Sequence, residues 1–92
     1  MRTIHKYNIT RLRIIEIPLM ATILSVGIQG QEIVLWAKVD TDNKITTRKF
    51  NTYGTGWDID DQCADSAVEV YLGTVTSPEG YVWHVFEETY AG

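Results

Sequence analysis

The sequence predicts an all-β domain, an antiparallel sandwich or small barrel built from hairpins, with at most one short helical turn. Three observations predict it. Short runs rich in Ile, Val, Thr and aromatic residues alternate apolar with polar positions. Clusters of Gly, Pro, Asn, Asp and Ser separate those runs at intervals suited to tight turns. No convincing helix interrupts them.

The elements follow in order. Thr3 to Ile9 and Arg11 to Ile17 read as strands. The alternation slips by one position at Ile14-Ile15, which predicts a bulge or bend there. Pro18 ends the strand because it has no N–H to give a ladder. Thr22 to Gln29 and Glu32 to Asp40 form the clearest hairpin, joined around Gly30. On the second of these strands, Ile33, Leu35, Ala37 and Val39 share one face, and Val34, Trp36 and Lys38 share the other. Both faces are partly apolar, so the strand is expected to be covered on both sides.

Asp40 to Lys44 is a turn cluster, and Ile45 to Tyr53 follows as a strand. Gly54-Thr55-Gly56-Trp57 ends that strand. The acidic stretch Asp58 to Ser66 accommodates one helical turn, capped by Asp58 or Asp60. Ala67 to Val75 and Tyr81 to Glu88 make a second hairpin across Thr76 to Gly80. There is no internal repeat and no low-complexity linker.

Ninety-two residues make one domain. A chain this short buries roughly 60–65% of the surface its unfolded form exposes. Cys63 is the single cysteine, so no disulfide can form within the chain. A lone cysteine suits a reducing compartment, and self-association is the remaining common route to extra burial. The first thirteen residues carry Arg2, Lys6, Arg11 and Arg13 and lack the apolar core of a signal peptide. Ile14 to Ile28 is broken by Glu16, Pro18, Ser25 and Gly27, so no membrane span is expected.

Charge is divided along the chain. All eight Lys and Arg lie at or before Lys49, against four acids there, for a balance of +4. Residues 50–92 hold eight acids and no Lys or Arg, for −8. Such asymmetry steers partners, or pairs one half of the chain against the other. An acidic chain is also a poor starting point for non-specific DNA binding, which rests on neutralising phosphates.

The motifs that carry chemistry are few. His5, His84 and Cys63 have no zinc-ligand spacing. Asp58-Ile-Asp-Asp61 resembles the start of a calcium loop, and Glu69 falls at its twelfth position. Cys63 stands where the loop needs glycine. A solvated acidic loop explains the stretch better. Cys63 with His84 lacks any local nucleophile signature, and Ser25, Ser66 and Ser77 sit in no nucleophile elbow. The reading is therefore of a non-enzymatic protein with no cofactor and no metal.

Two features point to binding instead. Gly54-Thr55-Gly56 follows a strand that carries Arg48 and Lys49, and its N–H groups suit an anion, although a lone turn has the same look. The aromatic residues are numerous: Trp36, Trp57 and Trp83, with Tyr7, Tyr53, Tyr71, Tyr81 and Tyr90. Such side chains serve cores, interfaces and base-stacking sites alike. Trp36 and Trp83 read as core. Trp57, after two glycines and before Asp58, reads as the exposed contact. A lone strand histidine such as His84 is usually a satisfied structural residue; its alternative is ligand contact.

Five segments carry a resemblance. They are Ile17 to Gln29, Val34 to Asp40, Tyr53-Gly-Thr-Gly56, Leu72-Gly-Thr-Val75 and Val82-Trp-His-Val-Phe-Glu87. In this order they resemble a family of small uncharacterised proteins encoded by bacteriophages and prophages, over nearly the whole chain. That family often has His-Pro where this chain has Trp57-Asp58, so nothing is carried over to that position. The resemblance implies an accessory phage protein acting in the host bacterial cytoplasm, where proteins of this size often antagonise host defence.

The leading expectation is a homo-oligomer that sequesters a small nucleotide-like immune signal. Arg48 and Lys49 would meet phosphates, Gly54, Thr55 and Gly56 would line the pocket, and Tyr53 or Trp57 would stack on a base. His84 joins them as a candidate contact. On this expectation Arg48→Ala abolishes binding and leaves the fold intact. The alternatives are an inhibitor of a host defence complex, docking through the acidic C-terminal half, a structural phage accessory protein, or an enzyme that degrades the signal.

Overall fold

In a computed structural model of the chain, residues 1–11, 13–59 and 67–90 are described, with the side chains of Ala67 and Tyr90 left aside. Seven strands form: β1 (Arg2–Asn8), β2 (Ile14–Pro18), β3 (Thr22–Gln29), β4 (Glu32–Asp40), β5 (Ile45–Gly54), β6 (Ala67–Thr76) and β7 (Val82–Tyr90). They build two antiparallel sheets, ordered β1-β4-β3 and β2-β5-β7-β6, which pack as a sandwich and do not close into a barrel. The expected helical turn and Cys63 fall on residues 60–66, outside the described residues.

Alternation decides which residues meet between the sheets. Ile33, Leu35, Ala37 and Val39 of β4 are buried, facing Ile15 and Ile17 of β2, Phe50 of β5 and Val85 of β7. Phe50, Ile17, Leu35 and Val85 are the largest side chains sealed from solvent. Burial of such residues contributes about 1.5–3 kcal/mol each and is the main force holding the layers together.

On the other face of β4 only Val34 is buried. Trp36 is half-buried on the outside of the three-stranded sheet, and its six-membered ring lies over Gly27 of β3. A Cβ at Gly27 would come within 2.9 Å of that ring. The sequence makes Trp36 look buried because it alternates with Val34, which is 3% exposed. Glycine on the neighbouring strand is what gives the end of the indole its room there.

β2 also differs from expectation. It begins at Ile14 and pairs with β5 without a shift of register. The slip at Ile14-Ile15 thus marks the start of a strand. The bulges lie elsewhere, between Ile23 and Ser25 on β3 and between Tyr71 and Gly73 on β6. These two edge strands run close beside each other there. A Cβ on Gly73 would sit 2.6 Å from Cγ2 of Val26. Bulges bend both edges, which also blunts them against pairing with other chains.

The charge asymmetry is partly consumed within the chain. Arg48 pairs with Glu87, and Lys49 with Glu88, across the β5–β7 ladder. Among the described residues no helix is long and apolar enough to cross a membrane.

Candidate functional site

The turn that follows β5 builds the most prominent surface feature. The N–H of Trp57 donates to the carbonyl of Gly54 at 3.1 Å, and Gly56 has φ of +83°. That backbone state is open to glycine at no steric cost, which is why Gly56 stands at this point of the turn. The chain then folds back so that the indole of Trp57 rests on Gly54. A Cβ on Gly54 would lie 2.6 Å from Nε1.

Trp57 stays 58% exposed and Tyr81 65% exposed. Trp57 meets Trp83 edge to face, with ring centres 5.2 Å apart and planes at 87°. Tyr81 lies 6.4 Å from Trp83 at a 40° tilt. A hollow of about 410 Å³ opens between Gly54, Thr55, Trp57, Gly80, Tyr81 and Trp83. At its rim the Glu79 carboxyl is held below its ordinary range, chiefly by its own backbone N–H and next by the Gln31 side chain.

Trp57 is also a wall of a second hollow of about 310 Å³. This one is polar, with Thr10, Arg13, Asn51, Tyr53 and Asp58 around it. It exists because β2 stops short of the end of β5. The N–H of Phe50 donates to the carbonyl of Arg13 at 2.6 Å, and Ile14–Lys49 is the last pair toward that end of the ladder. Alternation along an antiparallel strand sends the N–H and C=O of Thr52 to the same side as those of Phe50. They therefore face the gap that β2 has vacated, and Thr52 lines the hollow.

Arg13 is exposed, and its Nη2 donates to Oδ1 of Asn51. Asn51 is 2% exposed, and its Nδ2 donates to Glu69 at 2.9 Å and to Glu88 at 3.1 Å. The Tyr53 hydroxyl donates to the same Glu69 oxygen at 2.8 Å. Lys49 closes the row on Glu88 at 3.1 Å. Glu88 is thus matched by the Lys49 cation, and Glu69 by the neutral donors of Asn51 and Tyr53. Among the described residues no group of three or more His, Cys, Asp and Glu could hold a metal ion.

The structure divides the residues expected to bind. Gly54, Thr55 and Trp57 share the aromatic hollow, and Tyr53 lines the polar one. Gly56 serves the turn. His84 is bonded on both nitrogens, to the Thr55 hydroxyl at 2.7 Å and the Thr74 hydroxyl at 3.1 Å, so it tethers the turn to β6. The anion cradle at Gly54-Thr55-Gly56 does not form. Thr55 N–H donates to the carbonyl of Val82 and Trp57 N–H to that of Gly54.

Arg48 and Lys49 stand apart from the turn. Six residues of strand, about 20 Å, separate Arg48 from Gly54. The Arg48 guanidinium forks onto Glu87 at 2.5 and 2.6 Å, and its third nitrogen donates to the carbonyl of Ala21 at 2.6 Å. Such a fork is filled by its carboxylate and is not offered to a phosphate. Sequence reasoning missed Arg13 and Asn51, which lie 38 positions apart. It also missed Tyr81 as a partner of Trp57; Trp83, read as core, packs against the core and also lines the hollow.

A family model described as Domain of unknown function (DUF7352) matches residues 1–92. The chain belongs to this family. In this DUF7352 chain the β5–turn–Trp57 unit and the aromatic hollow both lie within the matched span. No curated protein and no solved structure matches the chain.

Proposed function

We propose that this protein is a non-catalytic binding module that holds a planar, nucleotide-like molecule against Trp57. The observation that carries the reading is the position of Trp57, an exposed indole laid on Gly54 between an aromatic hollow and a polar one. A base would stack on the indole, as every base offers a π-face to an aromatic side chain. Arg13 takes the role first expected of Arg48: the residue is exposed, among the described residues no carboxylate forks onto it, and a guanidinium matches phosphate geometry. Thr52 N–H and C=O suit the polar edge of a base. The hollows fall near the lower end of the volumes known for small-ligand sites.

The ligand is held and not turned over. Sequestering it as an oligomer in a bacterial host, to blunt a defence signal, is the role that the resemblance to phage proteins adds to this proposal.

Native mass spectrometry and calorimetry with cyclic dinucleotides and NAD-derived nucleotides test it. The expected result is an intact ligand retained by the protein, lost in Trp57→Ala and weakened about tenfold in Arg13→Ala. Arg48→Ala should bind normally wherever it remains folded. Retention unchanged by Trp57→Ala would overturn the site. No retention of any nucleotide would transfer the exposed Trp57–Tyr81 surface to a protein partner.

A further inference from the structure

A second surface lies on the outside of the three-stranded sheet. Register places Arg2, Ile4 and Lys6 of β1 beside Asp40, Lys38 and Trp36 of β4. Directly paired residues share a face, and Lys6 confirms it by reaching over β4 to donate to Gln29 of β3 at 2.7 Å. The middle of this face therefore holds two lysines, an exposed isoleucine and an indole, with Arg2 near one end.

The acids on this face stand at its two ends and are already engaged. Asp40 accepts from the Asp42 N–H at 3.0 Å and from the Met1 amine at 3.2 Å. Glu32 is held below its ordinary range by the side chains of Thr10 and Asn8. Among the described residues Arg2, Lys6 and Lys38 enter no ion pair. Arg2 and Lys38 also line one hollow of about 240 Å³, with Asp40 at the Arg2 end of it and Thr22 and Asn43 beside them. A chain of net charge −4 thus presents a locally basic face.

Trp36 decides what kind of polyanion fits. The outer end of its six-membered ring comes close to Gly27, where a side chain would collide with it. Half-buried, the indole keeps part of its surface open to a stacked base. We infer that this face binds single-stranded nucleic acid, with a base stacked on Trp36 and phosphates met by Arg2, Lys6 and Lys38. Cations tracking a backbone beside an aromatic platform are how sequence-tolerant single-strand binding works. A duplex keeps its base faces stacked and has nothing to give Trp36. An acidic peptide would use the cations and leave the platform idle. This surface is separate from the Trp57 site, whose residues lie on the other sheet and its turn.

Fluorescence anisotropy of a labelled oligothymidine titrated with the full chain tests the inference, with polyglutamate as competitor. Binding should weaken with salt at a log–log slope of about −2, as three phosphate contacts at roughly 0.7 each require. Trp36→Ala should weaken it about tenfold, in line with one lost stacking contact. The exposed pair Lys6→Glu and Lys38→Glu should abolish it, and Trp36→Phe should restore most of it if Trp36→Ala disturbs the sheet. Glu16→Gln, an exposed change on the other sheet, should leave it unchanged. Absence of binding at low salt would overturn the inference. So would polyglutamate competing equally, or loss of binding in Trp57→Ala, which would assign the oligonucleotide to the other site.

Discussion

The indole of Trp57 occupies the space that a side chain at Gly54 would need. Nε1 and Cε2 lie 2.6 and 2.7 Å from where a Cβ would be. Gly54 has no positive φ, so its glycine is required by this contact and not by the backbone. Gly54→Ala should leave the sandwich folded and push the ring off its seat. Circular dichroism should be unchanged in the far ultraviolet, and the Trp57–Trp83 contact should loosen. Ligand retention at the site should fall about as far as in Trp57→Ala. An alanine variant that binds normally would show that the ring position is immaterial.

Arg48 should behave as a residue of stability. Its side chain is 24% exposed and that of Glu87 is 11% exposed. Removing one partner of such a pair leaves the other charge shielded and unmatched, which costs about 3 kcal/mol. Arg48→Met should show that loss in urea unfolding. The double variant Arg48→Met/Glu87→Leu should recover most of it, because no charge is then left alone. Equal losses in the single and double variants would mean that the fork to Glu87 is not what Arg48 supplies.

Gly73 tests the meeting of the two bulged edges. Valine there would drive its Cβ into the Val26 side chain, and overpacking of this kind costs roughly 1–3 kcal/mol. The companion change Val26→Ala should relieve it. Thermal unfolding of the single and double variants gives the comparison, and a Gly73→Val protein as stable as the parent would refute the contact.

Acid should weaken the fold through Asp40, Glu32 and Glu79. Each is held below its ordinary range: Asp40 first by the Asp42 N–H, Glu32 first by Thr10, and Glu79 first by its own N–H. A carboxyl depressed in the folded state binds fewer protons than in the unfolded chain. Its contribution is therefore complete above the unfolded value, 3.8 for Asp and 4.5 for Glu, and is lost as pH falls through the folded value. Glu79 is exposed and Glu32 and Asp40 are half-buried at the surface, so the effect is small and screened by salt. The urea midpoint should decline below about pH 4.5, and less so in Glu32→Gln. A midpoint that rises on acidification would reverse the assignment.

Much of the fold is legible along the chain. The Thr22–Gln29 and Glu32–Asp40 strands stand where alternation puts them, because Gly30 takes the positive φ their turn needs. The glycines before Trp57 and the aspartate after it mark it as the candidate contact, and the fold supplies its exposure. The candidate site was legible only in part. The Gly54–Gly56 turn and Trp57 were found, but Arg48 was given the cation's role because it is near them in sequence. In an extended strand, six residues of separation is a long way in space.

Local residue type by itself determined the seven strands and the hairpin turn at Gly30, since backbone preference and two-residue alternation act between near neighbours. Only the tertiary structure decided which charges are already matched and which remain exposed. Arg48 meets Glu87 from 39 positions away, and Arg13 meets Asn51 from 38. Those meetings follow from the strand order β2-β5-β7-β6, and a side chain's partner across a ladder is set by sheet order and register. The same order leaves the end of β5 uncovered where β2 stops, and so creates the polar hollow beside Trp57.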